Sequence, residues 1–186
     1  LSKMIFTNRY PPKAHATAYV MMGFRVAWFK VHYPIHYYSA YFSLKKGDFD
    51  IRTMIKGYDA IKEKISILKE KGYEATNKEI STLDVLKSAL EMTARGYKFG
   101  NIDLYKSDSF KFLIDEDNKT LIPPFISIDG LGEVVAKKIV EERNIKEFLS
   151  VEDLQNRARV SQTIINNMRV MGILDTIPET SQLSLF

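Results

Sequence analysis

A mainly helical chain with one small β element is the fold this sequence predicts, and three observations lead there. Long stretches carry apolar residues at helical spacing. A short central stretch changes to runs typical of strands. Two glycines, Gly130 and Gly132, then stand just ahead of another helical run.

The helical stretches can be taken in order. Pro11 and Pro12 suit the first turn of a helix that should run from about Lys13 to Val31. Val20, Phe24, Ala27 and Val31 share one side, with Met22, Val26 and Phe29 nearby, so the helix is apolar almost all round and should be largely buried. Pro34 ends it. A second apolar helix is expected over Ile35 to Leu44, and Gly47 and Asp48 break it. Asp48 or Asp50 can cap the next one. From Ile51 to Lys71 one helical stripe holds Ile51, Met54, Ile55, Tyr58, Ile61, Ile65 and Leu68, with Gly72 as its stop. Another helix, Asn77 to Arg95, carries Ile80, Leu83, Leu86, Leu90 and Ala94 and stops at Gly96.

The pattern then changes. Ile102 to Leu104, Phe110 to Ile114 and Thr120 to Ile122 read as short strands, with Asp115 to Lys119 as a hairpin turn. Pro123-Pro124 marks a boundary, and a helix follows the glycines to about Arg143. Ser150 caps a short helix through Arg157, and Ser161 caps another to about Met171, closed by Gly172. After Pro178 the chain should lose fixed structure. The expected units are 1–100, a connector over 101–122, a module over 123–177 and a tail over 178–186.

Composition bounds the chemistry. The 186 residues are 45% hydrophobic, enough for a real core in one large domain or two small ones. There is no cysteine, which excludes disulfides and thiolate zinc sites. No run approaches a membrane span and no signal peptide is visible, so the cytoplasm is the expected place. The opening at Leu1 has no start-like character, and the chain reads as part of a longer protein. The net charge is +4, but its distribution says more. Before Asp48 there is no acid, while Lys3, Arg9, Lys13, Arg25, Lys30, Lys45 and Lys46 fall there. That segment suggests a face turned toward phosphate, or toward an acidic partner domain.

The stretch from Ile128 to Val140 is the most informative motif. It reads as an apolar residue, two glycines, then a helix start. Glycines can bring bare backbone to the surface, and a helix N-terminus offers unpaired N–H groups and partial positive charge. Gly130, Leu131, Gly132 and Val134 should then cradle a phosphate, with Lys137 and Lys138 reaching its neighbours. Gly-x-Gly is also a common plain turn. A dinucleotide fold is disfavoured because Val135 holds the third glycine position. The fuller pattern resembles a helix-hairpin-helix, which grips a duplex backbone whatever its sequence. Val160 to Ile165 lies where a second hairpin would be, without glycines, and reads as a degenerate copy with a weaker phosphate contact if any.

Three segments together resemble one family. They are Pro12-Lys13-Ala14-His15-Ala16 with Tyr19 and Ala27 to Pro34, the hairpin at Ile128 to Val140, and the ending Gln182-Leu183-Ser184-Leu185-Phe186. They are similar to the fingers, the duplex-binding element and the sliding-clamp-binding tail of bacterial DNA polymerase III alpha subunits, in the order of the PolC type of low-GC Gram-positive bacteria. The resemblance covers essentially the whole chain. It implies a helical fingers region, a tandem helix-hairpin-helix duplex-binding domain and a disordered C-terminal tail. It implies a parent nucleotidyltransferase that adds deoxynucleotides to a primer end in DNA replication, using metal ions held by paired carboxylates. Those palm carboxylates have no match here. Magnesium is expected in the parent's palm and no cofactor in this chain, which alone should be inactive.

The resemblance also assigns residues. Lys13, His15, Tyr19 and Arg9 are the candidates for the incoming deoxynucleoside triphosphate. His15 and Tyr19 are four apart and share a helix face. Core packing is the competing role for Tyr19 and also suits Trp28. Gln182, Leu183, Ser184, Leu185 and Phe186 would dock on the β sliding clamp. Primer–template duplex and the remaining polymerase domains are the other implied partners; a membrane is not. His32 and His36 have a spacing that can bind metal, but no third ligand is near, so no metal site is expected. Asp48-Phe49-Asp50 and Asp115-Glu116-Asp117 read as a capping turn and a solvated turn. One alternative is a stand-alone helix-hairpin-helix adaptor that recruits the clamp. A nuclease or repair fragment is another, and it lacks an acid cluster or nucleophile.

Overall fold

The computed structural model describes residues 13–45 and 49–180, with Lys13 and Ala14 as backbone only. Among the described residues there are eight α-helices and three short strands, a mainly helical fold with a small β element as expected. The helices are α1 (Lys13–His32), α2 (Pro34–Leu44), α3 (Ile51–Ile55), α4 (Tyr58–Glu70), α5 (Asn77–Ala94), α6 (Glu133–Ile145), α7 (Val151–Ala158) and α8 (Gln162–Val170). The strands are β1 (Lys98–Phe99), β2 (Leu113–Asp115) and β3 (Thr120–Ile122).

Helix α1 corrects the expectation of burial. Tyr19 is 68% exposed and Trp28 49%, and Val20, Phe24 and Phe29 also face outward. An apolar perimeter is buried only when other elements surround it, and within the described chain α1 packs chiefly on α2. Its last turn is bracketed to α5. Lys30 Nζ lies 2.6 Å from Glu91 Oε2, and Arg95 donates to the Lys30 carbonyl at 3.1 Å and to Glu91 Oε1 at 2.9 Å. Burial pushes the Glu91 carboxyl up, but Lys30, Tyr38 and Arg95 together hold it below its ordinary value. One cation of the acid-free segment is therefore spent on an internal contact.

Helix α2 buries Ile35, Tyr38 and Phe42. Phe42 meets Phe99 and Phe112 with ring centroids 5.3 and 5.6 Å apart, which seats α2 on the sheet. Ser39 and Ser43 complete the join by hydrogen bonding the Phe112 carbonyl and amide. The single stripe expected from Ile51 to Lys71 is broken in two. Gly57, at φ 92° and ψ −165°, turns the chain between α3 and α4 in a conformation open essentially to glycine alone. Asp50 caps α3 by accepting from the Thr53 amide at 3.2 Å. In α5 the buried stripe is Thr82, Val85, Leu86, Ala89 and Met92 rather than the one through Ile80 and Ala94. Ile80, apolar though it is, points to solvent, and Thr82 fills the core-facing position.

The sheet runs β1-β3-β2, with β1 parallel and β2 antiparallel to β3. Ile102 to Leu104 is not a strand. It is a loop, pinned because Asp103 accepts from the Tyr105 and Lys106 amides and because Ile102 and Leu104 are buried. Its apolar residues anchor a turn, which mimics the alternation of a strand. The missed strand, Lys98–Phe99, is only two residues long. One cluster of buried hydrophobic side chains runs from Ile35 to Leu174 and joins the helices to the sheet.

The start of α5 is a reciprocal cap. Thr76 Oγ1 accepts from the Glu79 amide at 3.3 Å, and Glu79 Oε2 accepts from the Thr76 amide at 2.9 Å. Lys71 beside Glu79, followed by the Thr76 amide, lowers the Glu79 carboxyl to about 2 from 4.5. A depressed folded pKa gives stability that is full above the unfolded value and lost as pH falls toward the folded one. Thermal melts should therefore lose midpoint as pH falls from about 4.5 to about 2, and Glu79→Gln should flatten that part of the profile. An unchanged profile in Glu79→Gln would show that the cap is not the titrating element.

Candidate nucleic-acid interface

The first hairpin is built on two buried apolar anchors. Ile128 and Leu131 are buried beside Ala136 and Ile139 of α6, and the Leu131 amide donates to the Ile128 carbonyl at 3.0 Å. Between them the chain reverses through Gly130 at φ 83°. A Cβ on Gly130 would also stand 3.3 Å from Ile164 Cδ1 of α8, so conformation favours glycine and the space beside it is tight. Gly132 differs. It is the N-cap of α6 at φ −77° and ψ 157°, a conformation open to any residue, and a Cβ there would meet nothing within 4 Å. Of the two glycines, then, only Gly130 uses a left-handed conformation. What Gly132 provides is an unobstructed backbone at the mouth of α6.

The N-terminus of α6 has no side-chain cap. Its first amide to return to the helix start is Ala136, which donates to the Gly132 carbonyl at 3.0 Å. The amides ahead of it are the set a helix cannot satisfy from within, and they sit on an exposed tip where Val134 is 78% accessible. Glu133 in the first turn suits the helix dipole but opposes an anion. Lys137 is exposed, with Nζ 5.6 Å from the centre of the Phe110 ring, and Lys138 is half-buried.

The glycine-free segment after α7 repeats this geometry. Arg159 takes φ 55° and ψ 42°, Val160 is buried, and Ser161 is the N-cap of α8 at φ −69° and ψ 155°. These three stand where Gly130, Leu131 and Gly132 stand in the first hairpin. Ile165 and Met168, fully buried, take the places of Ala136 and Ile139. Ser161 makes no side-chain cap hydrogen bond either. The degenerate copy expected at Val160 to Ile165 thus keeps the hairpin geometry without glycines. The usable signal was the buried residue followed by the helix start. Arg159 pays the cost of a conformation that non-glycine residues seldom adopt.

The hairpins are held as a pair. Besides the Ile164 contact, Asn167 Nδ2 of α8 donates to the Asp129 carbonyl at 3.3 Å. Arg157 clamps α6 to α7, donating to the carbonyls of Glu142 and Lys146 and stacking over Phe148 at 4.7 Å. Ser150 caps α7 by accepting from the Asp153 amide at 3.1 Å.

The other sequence-predicted residues fall elsewhere. On α1, His15 and Tyr19 do come together, ring centroids 4.5 Å apart and edge to face, and both are exposed. Tyr19 and Trp28 are thus not core residues. Arg9 lies outside the described residues, as do Gln182, Leu183, Ser184, Leu185 and Phe186, and Lys13 is described by its backbone alone. His32 packs on Trp28 at 4.5 Å, while His36 lies 3.3 Å from Glu116, so the pair does not converge. No group of three or more potential metal ligands occurs among the described residues. No helix among them is long and apolar enough to cross a membrane.

Comparison with known proteins bears on this geometry. Homologues named DNA polymerase III PolC-type match 94% of the chain. The protein of Lactococcus lactis subsp. lactis (strain IL1403) is 54% identical over 175 residues, which is 11% of its own length. That of Streptococcus pneumoniae serotype 2 (strain D39 / NCTC 7466) is 53% identical over 177 residues, and that of Halalkalibacterium halodurans 50% over 175, each 12% of the relative. The chain thus spans about one-ninth of the curated relatives it matches. A family model described as the helix-hairpin-helix motif matches residues 78–183, more than half of the chain and both hairpins, and the chain therefore belongs to the helix-hairpin-helix family.

Proposed function

We propose that this chain grips the backbone of duplex DNA with its paired hairpins as part of a bacterial replicative DNA-directed DNA polymerase of the PolC type. In this reading α1 contributes contacts to the incoming deoxynucleoside triphosphate through Lys13, His15 and Tyr19, and Arg9, ahead of it in sequence, contributes another. Residues 182–186 bind the sliding clamp, and α6 to α8 bind the primer–template duplex. The observation that carries the reading is the uncapped start of α6 behind Gly130 and Gly132, together with its repeat at Arg159 to Ser161. Backbone amides read no bases, so the grip is indifferent to sequence. Two tips of like geometry suit two phosphates. The Glu133 charge is offset by Lys137 and by the partial positive charge of the helix end. The metal-bound carboxylates of the polymerase reaction belong, in this reading, to the part of the relatives this chain does not span, and the chain alone does not catalyse. An adaptor working by itself would carry the exposed apolar α1 into solution, which favours the polymerase reading.

Gly132→Val tests the grip without disturbing the fold, because its φ suits valine and the space is open. The variant should bind a fluorescent primer–template duplex roughly tenfold more weakly or worse, the worth of one or more hydrogen bonds to a charged group, with its melt lowered by no more than the loss of a glycine N-cap. Equal affinity would remove the phosphate clamp.

Deleting residues 182–186 should abolish binding to the sliding clamp and leave duplex affinity intact. A short tail of this kind works as a tether, keeping effective concentration high through brief contacts. Clamp binding that survives the deletion would place the contact elsewhere.

In the whole polymerase, Lys13→Ala should raise the nucleotide KM or lower turnover, since a lysine beside a triphosphate offsets its charge. Wild-type kinetics would exclude Lys13 from the nucleotide site.

A further inference from the structure

The geometry points to a duplex-binding surface that continues past the hairpins onto α3, where Arg52 and Lys56 hold a further stretch of phosphate backbone. This rests on the duplex-binding reading of the hairpins.

Arg52 stands beside the first hairpin's tip although it is distant from it in sequence. Its guanidinium donates to Asn167 Oδ1 at 3.3 Å, and the same Asn167 side chain donates to the Asp129 carbonyl at 3.3 Å. Asn167 thus bridges the arginine to the residue just before Gly130. One of the guanidinium's five donors is used in this way, and the remaining fork fits a phosphate.

The charge pattern of α3 is a separate observation. Arg52 and Lys56, the C-cap of α3 still in helical conformation, are four apart, so they share a face, and both are exposed. Like charges at this spacing repel. Asp50, two residues before Arg52, is engaged already, capping Thr53 and pairing with Lys64 at 3.5 Å, and Asp59, three after Lys56, lies in the first turn of α4. No carboxylate among the described residues pairs with Arg52 or Lys56. The uncompensated pair is accounted for by an anionic partner running along α3 from the hairpin. The helix-hairpin-helix match begins at residue 78, so α3 lies outside what that motif prescribes.

The test measures duplex affinity of the full 186-residue chain across a salt series, using a fluorescent primer–template of arbitrary sequence. Each phosphate contact adds about 0.9 to the slope of log affinity against log salt. Arg52→Gln and Lys56→Gln should each flatten the slope by about one, and the double variant by about two, equally for every duplex sequence and without a change in melt. Arg52→Lys keeps the charge and should keep the slope. Gly132→Val is run alongside. If it weakens binding while the Gln variants keep the wild-type slope, the α3 contact is overturned and the hairpin reading stands. If Gly132→Val does not weaken binding, both fall. If Arg52→Lys flattens the slope as far as Arg52→Gln does, Arg52 only ties α3 to α8, and the inference is overturned.

Discussion

An exposed turn can offer bare backbone to a ligand only if something beneath it is fixed, and here that constraint is met by paired apolar anchors. Ile128 and Leu131 sit below the first tip, and Val160 sits below the second. The backbone between anchor and helix then has little freedom, so the amides at each helix start point outward without needing a ligand to arrange them. Preorganisation of this sort lowers the entropy cost of binding. Ile164 beside the Gly130 position and the Asn167 hydrogen bond to Asp129 join the two tips into one edge rather than two independent turns. Arg157 serves the same end from behind by satisfying the carbonyls at the end of α6.

The two hairpins reach one geometry by different chemistry. Gly130 is at ease at positive φ and lets Ile164 approach closely, whereas Arg159 holds the same region of conformational space with a long cationic side chain. A backbone carved away for close approach and a charge added at the tip are both ways of favouring an anion. The comparison explains why motif reading by glycine finds one copy and undervalues the other.

What could be read from the sequence follows from which forces are local. Capping and turn chemistry are local, so Asp50, Ser150, Gly96 and Gly172 fall at helix ends as expected. The antiparallel pairing of β2 with β3 follows from the turn between them. The errors arise where tertiary context decides. Ile80 and Thr82 exchange roles because the face of α5 that meets the core is chosen by its neighbours. Ile102 to Leu104 bury their apolar residues from a loop, which a two-residue period cannot tell from a strand. The break at Gly57 lies inside a stripe whose apolar spacing carries on across it. The paired rings of His15 and Tyr19 were legible from their spacing of four; the exposure of α1 was not, because a sequence does not state what surrounds a helix.

The bracket between α1 and α5 has a mechanical consequence. Lys30, the carboxylate of Glu91 and the guanidinium of Arg95 all act at the last turn of a 20-residue helix, and the half of α1 that carries His15 and Tyr19 extends away from them. A helix that long measures roughly 30 Å, so a tilt of about ten degrees at the bracket carries the far end through roughly 5 Å. Helix α1 is thus tied at this end by charge to α5 as well as by its packing on α2. Along a stiff helix of that length, small adjustments among three charged side chains translate into displacements the size of a helical turn at the His15 and Tyr19 end.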